Sequence, residues 1–118
     1  MEPFEPFEDI VTYLLNGRHI NSVDSGGLAI IHHASLSSDS DLTKCILSMG
    51  GDLNCLCSQG RTALHYSAIL NDFHTFNTLM TFSINFNSLD IYGKKAHEYT
   101  TDSEIIKLVE FYSFEIVF

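Results

Sequence analysis

The stretch that decides the fold is Gly60-Arg61-Thr62-Ala63-Leu64-His65-Tyr66-Ser67-Ala68. It has a counterpart earlier in the chain, where Gly27 and His32 precede Gly60 and His65 by one identical interval. A second series, Asn21, Asn54 and Asn87, has this same interval, and an apolar residue precedes each of its members. Two independent series with one period indicate an internal repeat, whose units bury their apolar sides by stacking on one another.

Within one period, the local pattern predicts two short helices followed by an extended turn. Leu64, Ser67 and Ala68 have the i, i+3, i+4 spacing of one helical face, and Thr62 precedes them as an N-cap. The apolar run at residues 76–80 repeats this spacing after a break that suits a helix cap. We expect an all-helical stack without a true sheet, with extended turns at residues 21–26, 54–59 and 87–92.

The two ends of the chain have patterns of their own. Thr101 and Glu104 have the spacing of a capping box, which predicts a last helix that contains the apolar residues 105–109. Residues 1–8 duplicate Glu-Pro-Phe and are interpreted either as a flexible lead or as a cover for the first helix pair through Phe4 or Phe7.

Residues 60–68 resemble the ankyrin-repeat signature Gly-x-Thr-Pro-Leu-His-x-Ala-Ala, and residues 46–54 resemble its companion Leu-Leu-x-x-Gly-Ala-Asp-Val-Asn. The signature proline is absent from every unit, and Ala29 replaces the signature threonine in the first full repeat. The resemblance covers roughly residues 9–111 and implies an all-α ankyrin-repeat solenoid of stacked helix-turn-helix units. It divides the chain into a lead at 1–8 and a single domain at 9–118, with a half repeat at 9–23, full repeats at 24–56 and 57–89, and a shortened closing repeat at 90–118.

The resemblance also implies structural roles for three kinds of residue. His32 and His65 would tie the start of a helix to the neighbouring turn, Thr62 would pair with His65, and Leu64 would lie in the core. Asn54 is a candidate for asparaginyl hydroxylation, whereas the favoured alternative is that its side chain only supports the turn.

The sequence has no residue pattern that is typical of a catalytic or metal site. His32 and His33 are adjacent on a predicted helix and point in different directions, so they do not converge on a metal. Cys55 and Cys57 lack the spacing of redox and zinc motifs, and Cys45 is expected to be buried. We therefore predict no catalytic residue, no metal and no cofactor.

Partners of ankyrin repeats bind through the turn tips and the exposed side of the first helix in each pair. Carried over position by position, the resemblance selects a set of partner-binding residues that mixes apolar, polar and basic side chains. The set consists of Ser25, Leu28, Leu36, Ser37, Ser58, Gln59, Arg61, Ile69, Leu70, Ile91, Tyr92 and Lys94.

Composition restricts the kind of partner and the compartment. Lys and Arg number 6 and Asp and Glu number 15, so the formal net charge is −9. This charge predicts a protein partner with a neutral or basic surface, and it disfavours nucleic acid and anionic membrane surfaces. With 3 cysteines and no basic region near the N-terminus, the chain is expected to be intracellular, in the cytoplasm or nucleus.

Two classes of function remain. The first is a non-enzymatic protein–protein interaction module, such as an adaptor, a scaffold or an inhibitor. A sharper version is a viral or pathogen ankyrin protein that resembles inhibitors of the kappa-B type and works inside a host cell. The alternative is a regulatory subunit or fragment of an enzyme whose catalytic domain lies elsewhere. The apolar residues 111–118 are interpreted as a packed tail, a surface for self-association or a C-terminal ligand.

Overall fold

The structure is a computed structural model that describes residues 20–117 except 22, 24 and 83, with side chains as far as residue 113. The predicted lead, with Phe4 and Phe7, and nearly all of the predicted half repeat lie outside the described residues. The described part contains α1 (Ile30–Leu36), α2 (Ser40–Ser48), α3 (Ala63–Ile69), α4 (Phe73–Thr81), a 3-10 helix (Ala96–Tyr99) and α5 (Ser103–Val117). It has no strand, only an isolated bridge between Val23 and Ala29. The prediction of an all-helical stack is confirmed.

The helix boundaries follow the period of the sequence. Helices α1 and α3 begin one full period apart, and so do α2 and α4. Asp39 and Asp72 are the N-caps of α2 and α4, and their carboxylates accept hydrogen bonds from the N–H groups of Leu42 at 2.9 Å and Thr75 at 3.3 Å. Each cap satisfies a donor that the first helical turn leaves without a partner.

The core lies between stacked helix pairs. Helix α1 packs on α3, α2 packs on α4, and α4 packs on α5, so neighbouring repeats bury one another's apolar sides. Leu64 is fully buried between these layers. The largest fully buried apolar side chains extend through the whole described stack and are Ile30, Ile31, Ile46, Leu64, Phe76, Leu79 and Ile105.

The closing repeat departs from the period. A 3-10 helix stands where the period places an α-helix, and α5 begins at Ser103, ahead of its register. The predicted capping box at Thr101 is wrong, because the carboxylate of Asp102 accepts from the N–H of Glu104 at 2.9 Å. The side-chain oxygen of Asn71 accepts from the N–H of Thr101 at 3.1 Å, and this contact holds Thr101 outside the helix.

Cys45 and Cys57 have different environments. The prediction that Cys45 is buried is wrong, since it lies on the solvent side of the outer helix α2 and is exposed. Cys57 is buried, and its sulfur lies 3.1 Å from the hydroxyl of Tyr66. All three cysteines of the chain are free thiols.

The junctions between paired helices require a left-handed backbone conformation. Ser38 joins α1 to α2 and Asn71 joins α3 to α4, and both have φ of 55°. Asparagine tolerates this region better than most residues, whereas serine does not share that advantage. Ser38 is therefore a local source of backbone strain in the first full repeat.

We expect Ser38→Gly to raise the free energy of unfolding by roughly 0.5–1 kcal/mol, because glycine adopts positive φ without a steric penalty. Ser37→Gly is the matched control, since Ser37 has φ of −87° and gains nothing from glycine. Urea denaturation of the two variants and the wild type gives the comparison. Equal destabilisation by both substitutions would contradict a strained conformation at Ser38.

Candidate functional site

The imidazole of His65 connects the start of α3 to the next turn tip. Its Nδ1 accepts a hydrogen bond from the N–H of Thr62 at 3.1 Å, and its Nε2 lies 3.0 Å from the carbonyl oxygen of Lys94. A backbone N–H can only donate, so the proton of the ring is on Nε2, which donates to Lys94. Burial lowers the pKa of His65 despite the opposing effects of the Lys94 carbonyl and the Asp90 charge, and the ring is neutral.

The same arrangement occurs one repeat earlier. The Nδ1 of His32 accepts from the N–H of Ala29 at 2.9 Å. Its Nε2 lies 3.0 Å from the carbonyl oxygens of both Cys55 and Arg61. Both histidines therefore join a helix start in one repeat to the backbone of the next, although the hydroxyl that Thr62 places 3.0 Å from His65 has no counterpart at Ala29.

Asparagine side chains make a second set of connections between repeats. The side-chain oxygen of Asn21 accepts from the N–H of Asp52 at 2.6 Å, and that of Asn54 accepts from the N–H of Asn85 at 3.2 Å. This contact gives Asn54 a definite part in supporting the turn of the following repeat. Hydroxylation of Asn54 stays a prediction.

Asp90 organises the turn tip of the closing repeat. One carboxylate oxygen accepts from the N–H groups of Tyr92 at 2.9 Å and Lys94 at 3.0 Å. The other accepts from the Nε of Arg61 at 3.2 Å and from the hydroxyl of Tyr99. Burial alone would raise the pKa of Asp90, but these hydrogen bonds hold it well below its usual range. The side chain of Asp90 has 0% exposure and is ionised at neutral pH.

Arg61 is both a predicted partner contact and an internal member of this cluster. Its guanidinium carbon lies 6.0, 5.5 and 5.1 Å from the ring centres of Tyr66, Tyr92 and Tyr99. Burial would lower the pKa of Arg61, but the hydrogen bonds with Tyr99 and Asp90 raise it. The guanidinium is therefore charged, and it donates hydrogen bonds to Asp90, Gln59 and Tyr99 within the protein.

Asp90 and Tyr99 were not among the residues predicted from the sequence. A local signal for Asp90 was present, because it stands one period after Cys57 at the base of a turn, where a carboxylate can accept the N–H groups of the tip. Nothing local indicates Tyr99, which lies 38 residues after Arg61 and meets it only through the stacking of repeats.

The structure brings the predicted partner-binding residues together on one surface. Helices α1 and α3 pack side by side, so Leu36 and Ile69, which are one period apart, occupy equivalent places on neighbouring helices. The turn tips are joined as well, because the hydroxyl of Ser58 donates to the carbonyl of Gly26 at 3.0 Å. We name this surface the inner face; it consists of residues 25–28, 58–61 and 91–94 with Leu36, Ser37, Ile69 and Leu70.

Side-chain exposure differs among the residues of the inner face. Leu28, Gln59 and Arg61 are half-buried. The exposed residues are Ser25, Leu36, Ser37, Ser58, Ile69, Leu70, Ile91, Tyr92 and Lys94. Large apolar side chains therefore remain open to solvent beside small polar ones.

Other kinds of site are less well supported by the described residues. No group of three or more His, Cys, Asp or Glu side chains in this part of the chain could hold a metal ion. None of the helices that the structure describes has the length and apolar character needed to cross a membrane. Phe111 on α5 is exposed, but the side chains of residues 114–118 lie outside the described part. Self-association through residues 111–118 therefore stays a prediction.

Comparison with protein families supports the repeat pattern. A family model described as "Ankyrin repeats (3 copies)" matches residues 5–90, nearly three quarters of the chain. The match ends at Asp90, so the 3-10 helix and α5 follow it. A search of curated proteins found no match.

The free energy of unfolding is expected to fall as the pH drops below about 6.5, the ordinary histidine pKa. Burial lowers the pKa values of His65 and His97 in the folded protein, so the unfolded chain takes up these protons first and is favoured. His65→Gln should be less stable than the wild type at pH 7 but should lose less stability between pH 7 and 5.

Urea denaturation at both pH values measures this difference, and His74→Gln is the control because His74 is exposed. The control should keep the pH dependence of the wild type. The same pH dependence in His65→Gln would contradict a neutral, buried imidazole at this position.

Proposed function

Because the chain belongs to the ankyrin-repeat family, we propose that it is a non-enzymatic module that binds a partner protein through the inner face, as an adaptor, a scaffold or an inhibitor. Ankyrin repeats are generally protein–protein interaction modules, and the family is typically non-catalytic. Stacked repeats form extended concave surfaces that suit this task.

The observation that carries the proposal is the exposed apolar group on the inner face. Ile91 and Tyr92 are 64% and 60% exposed at one turn tip, while Ile69 and Leu70 remain exposed at the end of α3. Leu36 extends the group onto α1. Such side chains, with serine and glutamine beside them, have the composition of an apolar centre with a polar rim.

Contacts between neighbouring turn tips also favour binding. The N–H of Ile91 donates to the carbonyl of Gln59 at 3.0 Å, which fixes one turn tip on the next. The ring centre of Tyr92 lies 5.5 Å from the guanidinium carbon of Arg61, a contact that favours this position of the ring before a partner binds. A preorganised surface loses less conformational entropy on binding, and tyrosine is among the residues that dominate interfaces.

A double variant tests this proposal. Ile69→Ser with Tyr92→Ala should weaken partner binding by more than roughly tenfold while the stack stays folded, because both side chains are exposed and are expected to be anchors. Capture from cell extract followed by mass spectrometry identifies partners of the wild type. Titration with each purified partner then gives its affinity for the wild type and the variant.

The matched control is Met49→Ser with Leu56→Ala, since both side chains are exposed apolar groups outside the inner face. Circular dichroism and thermal unfolding establish that each variant is folded. Full binding by the folded inner-face variant, or an equal loss in the control, would contradict the proposal.

A further inference from the structure

We propose that the inner face binds an acidic segment of its partner, in which carboxylates alternate with apolar side chains. The inference rests on the proposed function, because it names the chemistry of the partner for that same surface. It also departs from the net charge of −9, which taken alone predicts a neutral or basic partner. The reason is that the charges are distributed unevenly over the part of the molecule that the structure describes.

The segments that build the inner face contain almost no acidic residues. Residues 25–38 and 57–71, which include two turn tips with α1 and α3, have no Asp or Glu at all. In residues 90–97 the only acidic residue is Asp90, which is buried and paired with Arg61. The exposed carboxylates of the described residues stand outside these segments and belong to Asp41, Asp52, Glu98, Glu104 and Glu110.

Cations, by contrast, are concentrated at the closing turn tip. Lys94 and Lys95 follow the apolar pair Ile91 and Tyr92, from which Gly93 separates them. Among the described residues, no carboxylate forms an ion pair with either lysine, and the ion pairs found there are Arg61 with Asp90 and Lys107 with Glu104. The exposed ammonium group of Lys94 on the inner face, with the half-buried Lys95 beside it, is therefore left for a partner.

Asp90, the buried carboxylate of the same turn tip, does not neutralise Lys94 or Lys95. Asp90 already accepts four hydrogen bonds, and its charge is balanced by Arg61. The Nζ of Lys94 lies 5.2 Å from the ring centre of Tyr99, and it makes no ion pair with Asp90. Glu98 is the acidic residue that follows next in the chain, and it forms an ion pair with neither lysine.

The backbone of the tip fixes the apolar and cationic groups relative to one another. The N–H of Lys94 donates to Asp90, and its carbonyl accepts from His65. Tyr92 is anchored by the same carboxylate through its own N–H. A segment with a carboxylate next to an apolar side chain can therefore engage both groups at once, whereas a basic segment would meet repulsion.

The experiment is a selection of random linear peptides, displayed on phage, against the full chain. We expect the enriched peptides to be acidic and to contain aromatic or aliphatic side chains. Lys94→Glu with Lys95→Glu should weaken the binding of these peptides by about tenfold or more, measured by fluorescence anisotropy, because two attractions become repulsions.

Lys44→Glu with Lys107→Glu is the matched control, because it changes the net charge equally on α2 and α5, outside the inner face. It should weaken binding by less than about twofold. Circular dichroism establishes that both variants are folded.

Enrichment of neutral or basic peptides, indifference to the Lys94 and Lys95 substitutions, or an equal loss in the control would overturn the inference. If neutral or basic peptides are enriched but bind the Ile69→Ser, Tyr92→Ala variant more weakly than the wild type, the proposed function stands and only the acidic chemistry is wrong. Peptides that bind this variant as well as the wild type would contradict the proposed function too. A selection that enriches no peptide would count against both.

Discussion

The connection between the second full repeat and the closing repeat depends on one neutral imidazole. His65 accepts from the backbone of Thr62 at the start of α3 and donates to the backbone of Lys94 in the next turn tip. A protonated ring would lose its acceptor, so the pair of contacts exists only while burial keeps the ring neutral. His32 makes the same kind of connection one repeat earlier, and successive helix starts and turns are thereby held in one register.

The contacts of His65 also influence which side chains of the inner face are exposed to a partner. The carbonyl that His65 holds belongs to Lys94, and the N–H of the same residue is held by Asp90. Asp90 in turn balances Arg61, over which Tyr92 lies. The carboxylate of Asp90 is therefore buried and fully engaged in contacts that stabilise the fold, whereas Lys94 and the apolar side chains of the tip stay exposed. This difference is the basis of the proposed preference for acidic segments.

The elements that depend on local signals could be predicted from the sequence. The starts of α3 and α4 follow from Thr62, Asp72 and the spacing of apolar residues, because caps and helical faces act over three or four positions. The last helix was predicted with its cap at Thr101, one residue too early, because Asn71 of the preceding repeat holds Thr101 and Asp102 caps α5 instead. A contact between repeats is invisible in a short window of sequence.

The candidate site shows the same division. Its positions were selected by the resemblance to ankyrin repeats, and the structure leaves most of them exposed, although Leu28, Gln59 and Arg61 are half-buried. The cluster of Arg61, Asp90 and Tyr99 could not be predicted, since it joins side chains 29 and 38 residues apart. Net charge also carries no information on position, and among the described residues the exposed carboxylates lie outside the segments that build the inner face. A long-range 1H–15N correlation spectrum of the histidine rings at pH 7 tests most directly whether neutral imidazoles join the repeats. We expect His32 and His65 to be neutral with the proton on Nε2, whereas a proton on Nδ1 of either ring would contradict the contacts described above.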